Sequence, residues 1–222
     1  FELSGIAPNP KIESVREGVK LCKENDIDMV LAIGGGSVID CAKVVAAGAC
    51  YDGDPWDLVI TPRWIKKALP IYSVLTLSAT GSEMDPFAVI SDMSKNEKWG
   101  TASEHMKPKM SILDPEYTYS VSKKQTAAGT ADMISHICEN YFTNVKNADV
   151  QARFAEGLLK NCFKYGPIAL EEPDNYDARA NLMWTASMAI NGILSDGAEV
   201  SWCVHPMEHE LSAFYDITHG EG

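Results

Sequence analysis

Four of the five histidines, His136, His205, His209 and His219, lie in the second half of the chain, beside acidic residues at spacings that permit shared chemistry. Asp132 and His136 are four apart in A-A-G-T-A-D-M-I-S-H-I-C-E, so on a helix both side chains leave one face and can chelate a single ion. His205 and His209 repeat that spacing in V-H-P-M-E-H-E-L, and His219 follows ten residues later. A lone imidazole is more often an ordinary core or surface group. Gathered around an aspartate that would be costly to bury alone, these imidazoles point instead to a divalent transition ion. One carboxylate and three imidazoles suit Fe²⁺ or Zn²⁺ and leave a position for substrate. Spacing alone makes His205 and His209 the natural pair and His219 the outsider.

A second kind of chemistry is written in the first half. Gly34, Gly35, Gly36 and Ser37 stand between an apolar run and a helical pattern in D-M-V-L-A-I-G-G-G-S-V-I-D-C-A-K. Glycines there let the backbone approach an anion, and the helix N-terminus offers unpaired N–H groups, which is how phosphates are held. The loop is neither G-x-G-x-x-G nor a Walker loop, and a plain tight turn is the competing reading. A second apolar run ends in L-T-L-S-A-T-G-S-E-M-D, residues 75–85. Two such loops at the carboxyl ends of parallel strands form a crevice for a dinucleotide, with Thr76, Thr80, Ser82 and Asp85 as candidate lining residues.

These groups must be positioned by two different kinds of structure. Over the first half, helical patterns at 13–24 and 37–49 alternate with strand patterns at 28–33, 71–77 and 110–113, which predicts parallel βαβ units. Residues 51–70 read as a loop excursion with one short helix, and 87–91 as an added strand or hairpin arm. Ser122 and Gln125 have the spacing of a capping box, and everything beyond them is helical in pattern. Helices are expected at 123–141, 148–165, 176–191 and about 200–211, with breaks at Gly166-Pro167, Glu171-Glu172-Pro173 and Gly192. The expected division is an α/β nucleotide-binding domain over 1–119 and an all-α metal-binding domain over 120–222.

Composition narrows the partners. The formal net charge of −12, with scattered basic residues, would repel a phosphate backbone, so nucleic acid is not an expected partner. No apolar stretch approaches the roughly 20 residues of a membrane span, and the N-terminus lacks a signal-peptide pattern. Six dispersed cysteines, with no C-x-x-C pair, suit free thiols in a reducing cytoplasm.

The blocks G-G-G-S-V-I-D (34–40), L-T-L-S-A-T-G-S-E (75–83), L-D-P-E-Y-T (113–118), G-T-A-D-M-I-S-H-I-C-E (129–139) and H-P-M-E-H-E-L-S-A-F-Y-D-I-T-H-G (205–220) occur in this order. Together they resemble the iron-containing (group III) alcohol dehydrogenases, in particular the butanol dehydrogenase and NAD(P)H-dependent aldehyde reductase branch. The resemblance implies a dehydroquinate-synthase-like fold with the active site between its two domains. It implies that Asp132, His136, His205 and His219 hold the metal, while His209 is a cleft histidine outside the ligand set; its candidate role is to relay a proton or position substrate, and the competing one is support of the metal-binding histidines. It also places Gly35, Gly36, Ser37 and Asp40 on the pyrophosphate loop, and Thr76, Thr80, Ser82, Asp85, Lys98 and Tyr117 near the ribose, phosphates or nicotinamide of NAD or NADP. Asp85 stands where asparagine is frequent in that branch.

The expected reaction is hydride transfer between the coenzyme and a primary alcohol or aldehyde, and the expected assembly is a homodimer. Glycerol dehydrogenase-like or dehydroquinate synthase-like chemistry on the same fold is the alternative, as is a non-catalytic fragment. The family's first βαβ segment, and the helices that follow its H-G motif, have no counterpart here, so the chain is expected to lack both ends.

Overall fold

Helix α1 (Ile12–Glu24) buries Ile12, Val15, Val19 and Cys22 at three- and four-residue intervals, the stripe of a helix with one face on a core. The computed structural model describes all residues, 1–222. Strand β1 (Val30–Gly34) and helix α2 (Gly36–Gly48) follow, then strand β2 (Ile71–Leu75). Strands β1, β2 and β5 (Met110–Ile112) form a three-stranded parallel sheet in the order β1-β2-β5. Its register sets Gly34 opposite Leu75. Both strands therefore end at the same level, and the two glycine-bearing loops leave the sheet side by side.

The excursion at 51–70 holds a short helix, α3 (Pro55–Ile60), whose first turn is capped by Asp54 accepting from Trp56 N. The strand anticipated at 87–91 is β3 (Phe87–Asp92), paired antiparallel with β4 (Glu97–Ala102). This hairpin forms its own two-stranded sheet. Strand β4 was not anticipated, because K-W-G-T-A contains a mid-strand glycine and no apolar alternation. It nonetheless turns Lys98 and Thr101 inward. Apolar side chains from α1, α2, α3 and β3, among them Val15, Val44, Leu58 and Ile90, close the core beneath it.

The second half is helical: α4 (Lys123–Tyr141), α5 (Asp149–Glu171), α6 (Tyr176–Ile190) and α7 (Val204–Tyr215). Ser122 Oγ accepts from Gln125 N at 3.2 Å, fixing the start of α4. Helix α5 does not stop near residue 165 but runs through Gly166 and Pro167 to Glu171. Pro167 lies on the exposed side and Gly166 on the buried side. The donor that proline lacks thus costs least where water can satisfy the carbonyl it leaves free. Helix α7 starts and ends four residues later than expected, stopping where Asp216 takes a left-handed conformation at φ 49°.

Met133, Ile137, Cys162, Leu182 and Ala186 form the core of the helical half. A smaller cluster joins the halves: Met183 of α6 packs fully buried against Ala32, Ile39, Ala42 and Leu75. Beside it, Ser187 donates to the buried carboxylate of Glu83. This seam fixes the second glycine loop against the helices. No helix is long and apolar enough to cross a membrane.

Candidate functional site

Asp132 and His136 leave α4 on one face, and both are buried. His205 reaches them from the first turn of α7, and His219 from the turn that follows that helix. Asp132 Oδ1 lies 3.6 Å from His136 Nε2, 3.7 Å from His205 Nε2 and 3.4 Å from His219 Nε2. These separations exceed hydrogen-bond lengths. The edge of a tetrahedron with bonds of about 2.0–2.2 Å is roughly 3.3–3.6 Å; the His136 and His219 separations fall on it and that of His205 lies just beyond. His205 Nε2 is also buried without a hydrogen-bond partner, which would be costly unless a cation used its lone pair. The four residues fit one divalent ion.

The placement of His219 has a local cause. After Asp216 reverses the chain, Gly220 lies against α4 so closely that a Cβ there would stand 2.2 Å from the Ala128 carbonyl oxygen. Only glycine lets the turn approach α4 and present His219 to Asp132. On the other side, Glu139 of α4 accepts from Cys203 N and Val204 N, both at 2.6 Å, at the start of α7. A carboxylate suits a helix N-terminus, and this contact aims the first turn of α7 at α4.

Two imidazoles have carboxylates on their outer nitrogens. His205 Nδ1 bonds Glu139 Oε2, and His219 Nδ1 bonds Glu208 Oε2. If each Nδ1 carries the proton, each Nε2 lone pair faces Asp132. His136 has no such partner at Nδ1. Its ring instead stacks on His205 with centroids 4.6 Å apart, and meets Trp202 edge-on.

The electrostatics favour a bound cation. Burial opposes the charge of Asp132, yet His136, His205 and His219 hold its carboxyl far below the usual range. Burial, against the pull of Asp132, pushes His136 down to about 4. Burial also pushes His209 down to about 3, reinforced by the Lys98 ammonium. Against its own burial, Glu208 is held at about 2, chiefly by His219, with Ser212 and Lys98 contributing.

A second set of groups, Glu208, His209 and His219, is also close enough to bind an ion. Here the structure favours the first set. Lys98 Nζ lies 3.1 and 3.3 Å from the Glu208 carboxylate oxygens and 3.4 Å from His219 Nδ1, so a cation already occupies that corner. His209, with its ring centroid 5.7 Å from His219 and 6.5 Å from His205, stands beside the four-residue group. The structure thus groups His205 with His219, although spacing alone paired it with His209.

A cleft of about 430 Å³ runs from this group to the glycine loops, within the range of small-ligand sites. Gly36, Ser37, Asp40, Thr80, Ser82, Asp85 and Lys98 line its α/β side, and His136, His205, His209 and His219 its other side. Gly35 precedes α2, whose N-terminus has no side-chain cap; Val38 N and Ile39 N donate to the Gly35 carbonyl, which leaves the N–H groups of Gly36 and Ser37 to meet an anion. Gly36 is where the loops touch, since a Cβ there would lie 2.4 Å from Thr80 Oγ1. Thr76 lies just past β2 and Tyr117 on a half-exposed turn; neither lines the cleft, nor does Asp132, which sits beneath the histidines.

Asp40 and Asp85 have structural duties as well. Asp40 accepts from Ser82 Oγ at 2.6 Å and Val89 N at 2.9 Å. Asp85 accepts from the fully buried Lys43 at 2.8 Å and from Phe87 N at 2.6 Å. These bonds tie the second loop and β3 to α2, and they use Asp85 Oδ1 inside the fold. Lys43, Glu139 and Glu208 were not singled out from sequence, because the groups they hold lie far away along the chain.

A model described as "Iron-containing alcohol dehydrogenase" matches residues 1–115, and one described as "Fe-containing alcohol dehydrogenase family, C-terminal" matches residues 126–222. The chain is 61% identical over 222 residues to NADH-dependent butanol dehydrogenase A of Clostridium acetobutylicum, covering 100% of this chain and 57% of that protein. It is 44% identical over 224 residues to the NADPH-dependent aldehyde reductase YqhD of Escherichia coli, covering 100% of this chain and 58% of that protein. The crystal structure of NADH-dependent butanol dehydrogenase A from Thermotoga maritima superposes with a TM-score of 0.96 at 46% identity, covering 99% of this chain and 55% of that one. The chain therefore spans a little over half the length of these relatives.

Proposed function

The chain belongs to the iron-containing alcohol dehydrogenase family, and from that premise we propose that its protein transfers hydride between NAD(P)(H) and a primary alcohol or aldehyde such as butanol or butanal. The observation that carries this reading is the convergence of Asp132, His136, His205 and His219 at the end of a cleft that begins at an uncapped helix N-terminus. When bound, a divalent cation supplies Lewis acidity toward the substrate oxygen, and a nicotinamide supplies the redox chemistry.

The residues of this chain do the rest. The N-terminus of α2, with Ser37 and Thr80, binds the coenzyme diphosphate. Ser82 and Asp40 hold the second loop at the cleft wall. Trp202, Pro206 and Ile190 line the same cleft and limit water near the histidines. His209 positions the substrate or relays its proton, as a neutral imidazole can. The four-residue group suits Fe²⁺ or Zn²⁺, and the family description favours iron. The dependence of the Clostridium relative on NADH and of the Escherichia relative on NADPH supports assay with both. In this reading the protein is a cytoplasmic homodimer whose six cysteines are free thiols, acting on small molecules and not on nucleic acid or membranes.

The test is oxidation of NADH and of NADPH by the full-length protein with butanal, followed at the nicotinamide absorbance. His205→Ala should lose both metal and turnover. His209→Ala should keep metal and lose turnover. Turnover without metal, or metal loss in both variants, contradicts the assignment.

A further inference from the structure

We infer that Glu208 is a positioning residue for the ligand His219, and that Lys98 holds it in place from the α/β half. The inference rests on the metal-centre reading above. Glu208 is 4% exposed and makes three kinds of contact. Its Oε2 bonds His219 Nδ1, its Oε1 accepts from Ser212 Oγ one helical turn on, and both oxygens face Lys98 Nζ. Lys98 is itself buried and belongs to β4, so this contact crosses from one half of the chain to the other. Asn9 completes the link: its Oδ1 accepts from Lys98, while its Nδ2 donates to Asp216 Oδ1 and to Ile217 O in the turn that carries His219.

The two outer carboxylates thus differ in kind. Glu139 orients His205 from within the helical half, where it also holds the start of α7. Glu208 orients His219 but is anchored across the cleft. His219 opens a single 3-10 turn of three residues, His219–Glu221, too short to fix its ring, so the carboxylate and the Asn9 contacts supply the restraint. Lys98 has a further effect. While Glu208 is present its ammonium faces a carboxylate; without Glu208 it keeps only the neutral Asn9 Oδ1 as a partner, and its uncompensated charge repels a metal ion. Outer partners of this type typically change metal affinity 10–100-fold when removed.

The experiment uses the full-length protein with Co²⁺ as the probe, measuring affinity by chelator competition and ligand geometry by the visible d–d spectrum. Glu208→Leu should weaken Co²⁺ binding by about 10–100-fold and alter the spectrum. Glu208→Gln keeps an acceptor for His219 Nδ1–H; it should retain the wild-type spectrum and bind more tightly than the leucine variant. Adding Lys98→Met to Glu208→Leu should recover part of the lost affinity, because the uncompensated charge is gone. Co²⁺ affinity within twofold of wild type and an unchanged spectrum in Glu208→Leu would overturn the inference; strictly additive effects of the two substitutions would overturn the role of Lys98. If Glu208→Leu fails to fold, Glu208→Gln decides: an altered spectrum overturns hydrogen-bond orientation, and a wild-type spectrum supports it. Failure of the wild-type protein to bind Co²⁺ would instead overturn the metal-centre reading.

Discussion

Replacing Gly220 with alanine probes how the last ligand reaches its site. A Cβ at this position would lie 2.2 Å from the Ala128 carbonyl oxygen, more than 1 Å inside the roughly 3.5 Å optimum for such atoms. The obstacle is helical backbone, which cannot rotate aside like a side chain. The turn carrying His219 must therefore retreat by about 1 Å, a displacement that matters where reacting or ligating atoms need close alignment. His219 Nε2 now stands 3.4 Å from Asp132 Oδ1, and an added ångström exceeds the roughly 3.3–3.6 Å edge allowed by metal–ligand bonds of about 2.0–2.2 Å. Gly220→Ala in the full-length protein should weaken metal binding by at least ~10-fold, in the range seen for lost supporting contacts. Gly157→Ala is the control: nothing lies within 4 Å of a Cβ there, inside α5, so it should leave metal affinity alone and add about 0.5–1 kcal/mol of stability. Chelator competition and urea unfolding read the two effects. Wild-type metal affinity in Gly220→Ala would refute the argument that this contact places His219.

Two further outcomes concern the seam between the halves. Met183→Ala should lower stability by about 2–5 kcal/mol in urea unfolding, as for other buried methionines; a loss below about 1 kcal/mol would mean that the cluster around Ala32 and Leu75 closes the gap. Burial raises the Glu83 carboxyl even though Ser187 donates to it, and its other oxygen has no partner. A carboxyl with a raised folded-state pKa is protonated more readily when folded, so its contribution is lost as pH climbs from the ordinary glutamate range through the raised value. The wild-type protein should therefore lose stability relative to Glu83→Gln as pH is raised from about 5 to 8. Parallel pH–stability curves would refute this.

Much of the scaffold was legible because its signals are local. Ser122 and Gln125 mark the start of α4, the apolar runs at 30–34 and 71–75 become adjacent parallel strands, and Asp132 and His136 share a face through simple helical spacing. What escaped is non-local. The grouping of His205 with His219 depends on the reversal at Asp216 and the contact of Gly220 with Ala128, which spacing cannot express. Glu139 and Glu208 lie within the quoted blocks, but their roles depend on a loop start and a turn elsewhere in the chain. Lys43 reads as an ordinary lysine of α2 until the fold buries it against Asp85 and Ser82. Helix α5 passes Pro167 because that residue happens to face outward, a fact of packing and not of local sequence.

The two candidate metal groups share His219 and differ in everything else. Anomalous diffraction from crystals of the full-length protein loaded with Fe²⁺ distinguishes them directly. The account predicts one ion at bonding distance, about 2.0–2.3 Å, from Asp132 Oδ1 and from the Nε2 atoms of His136, His205 and His219, with Lys98 still paired to Glu208. An ion between Glu208 and His209, with Lys98 displaced, would contradict it.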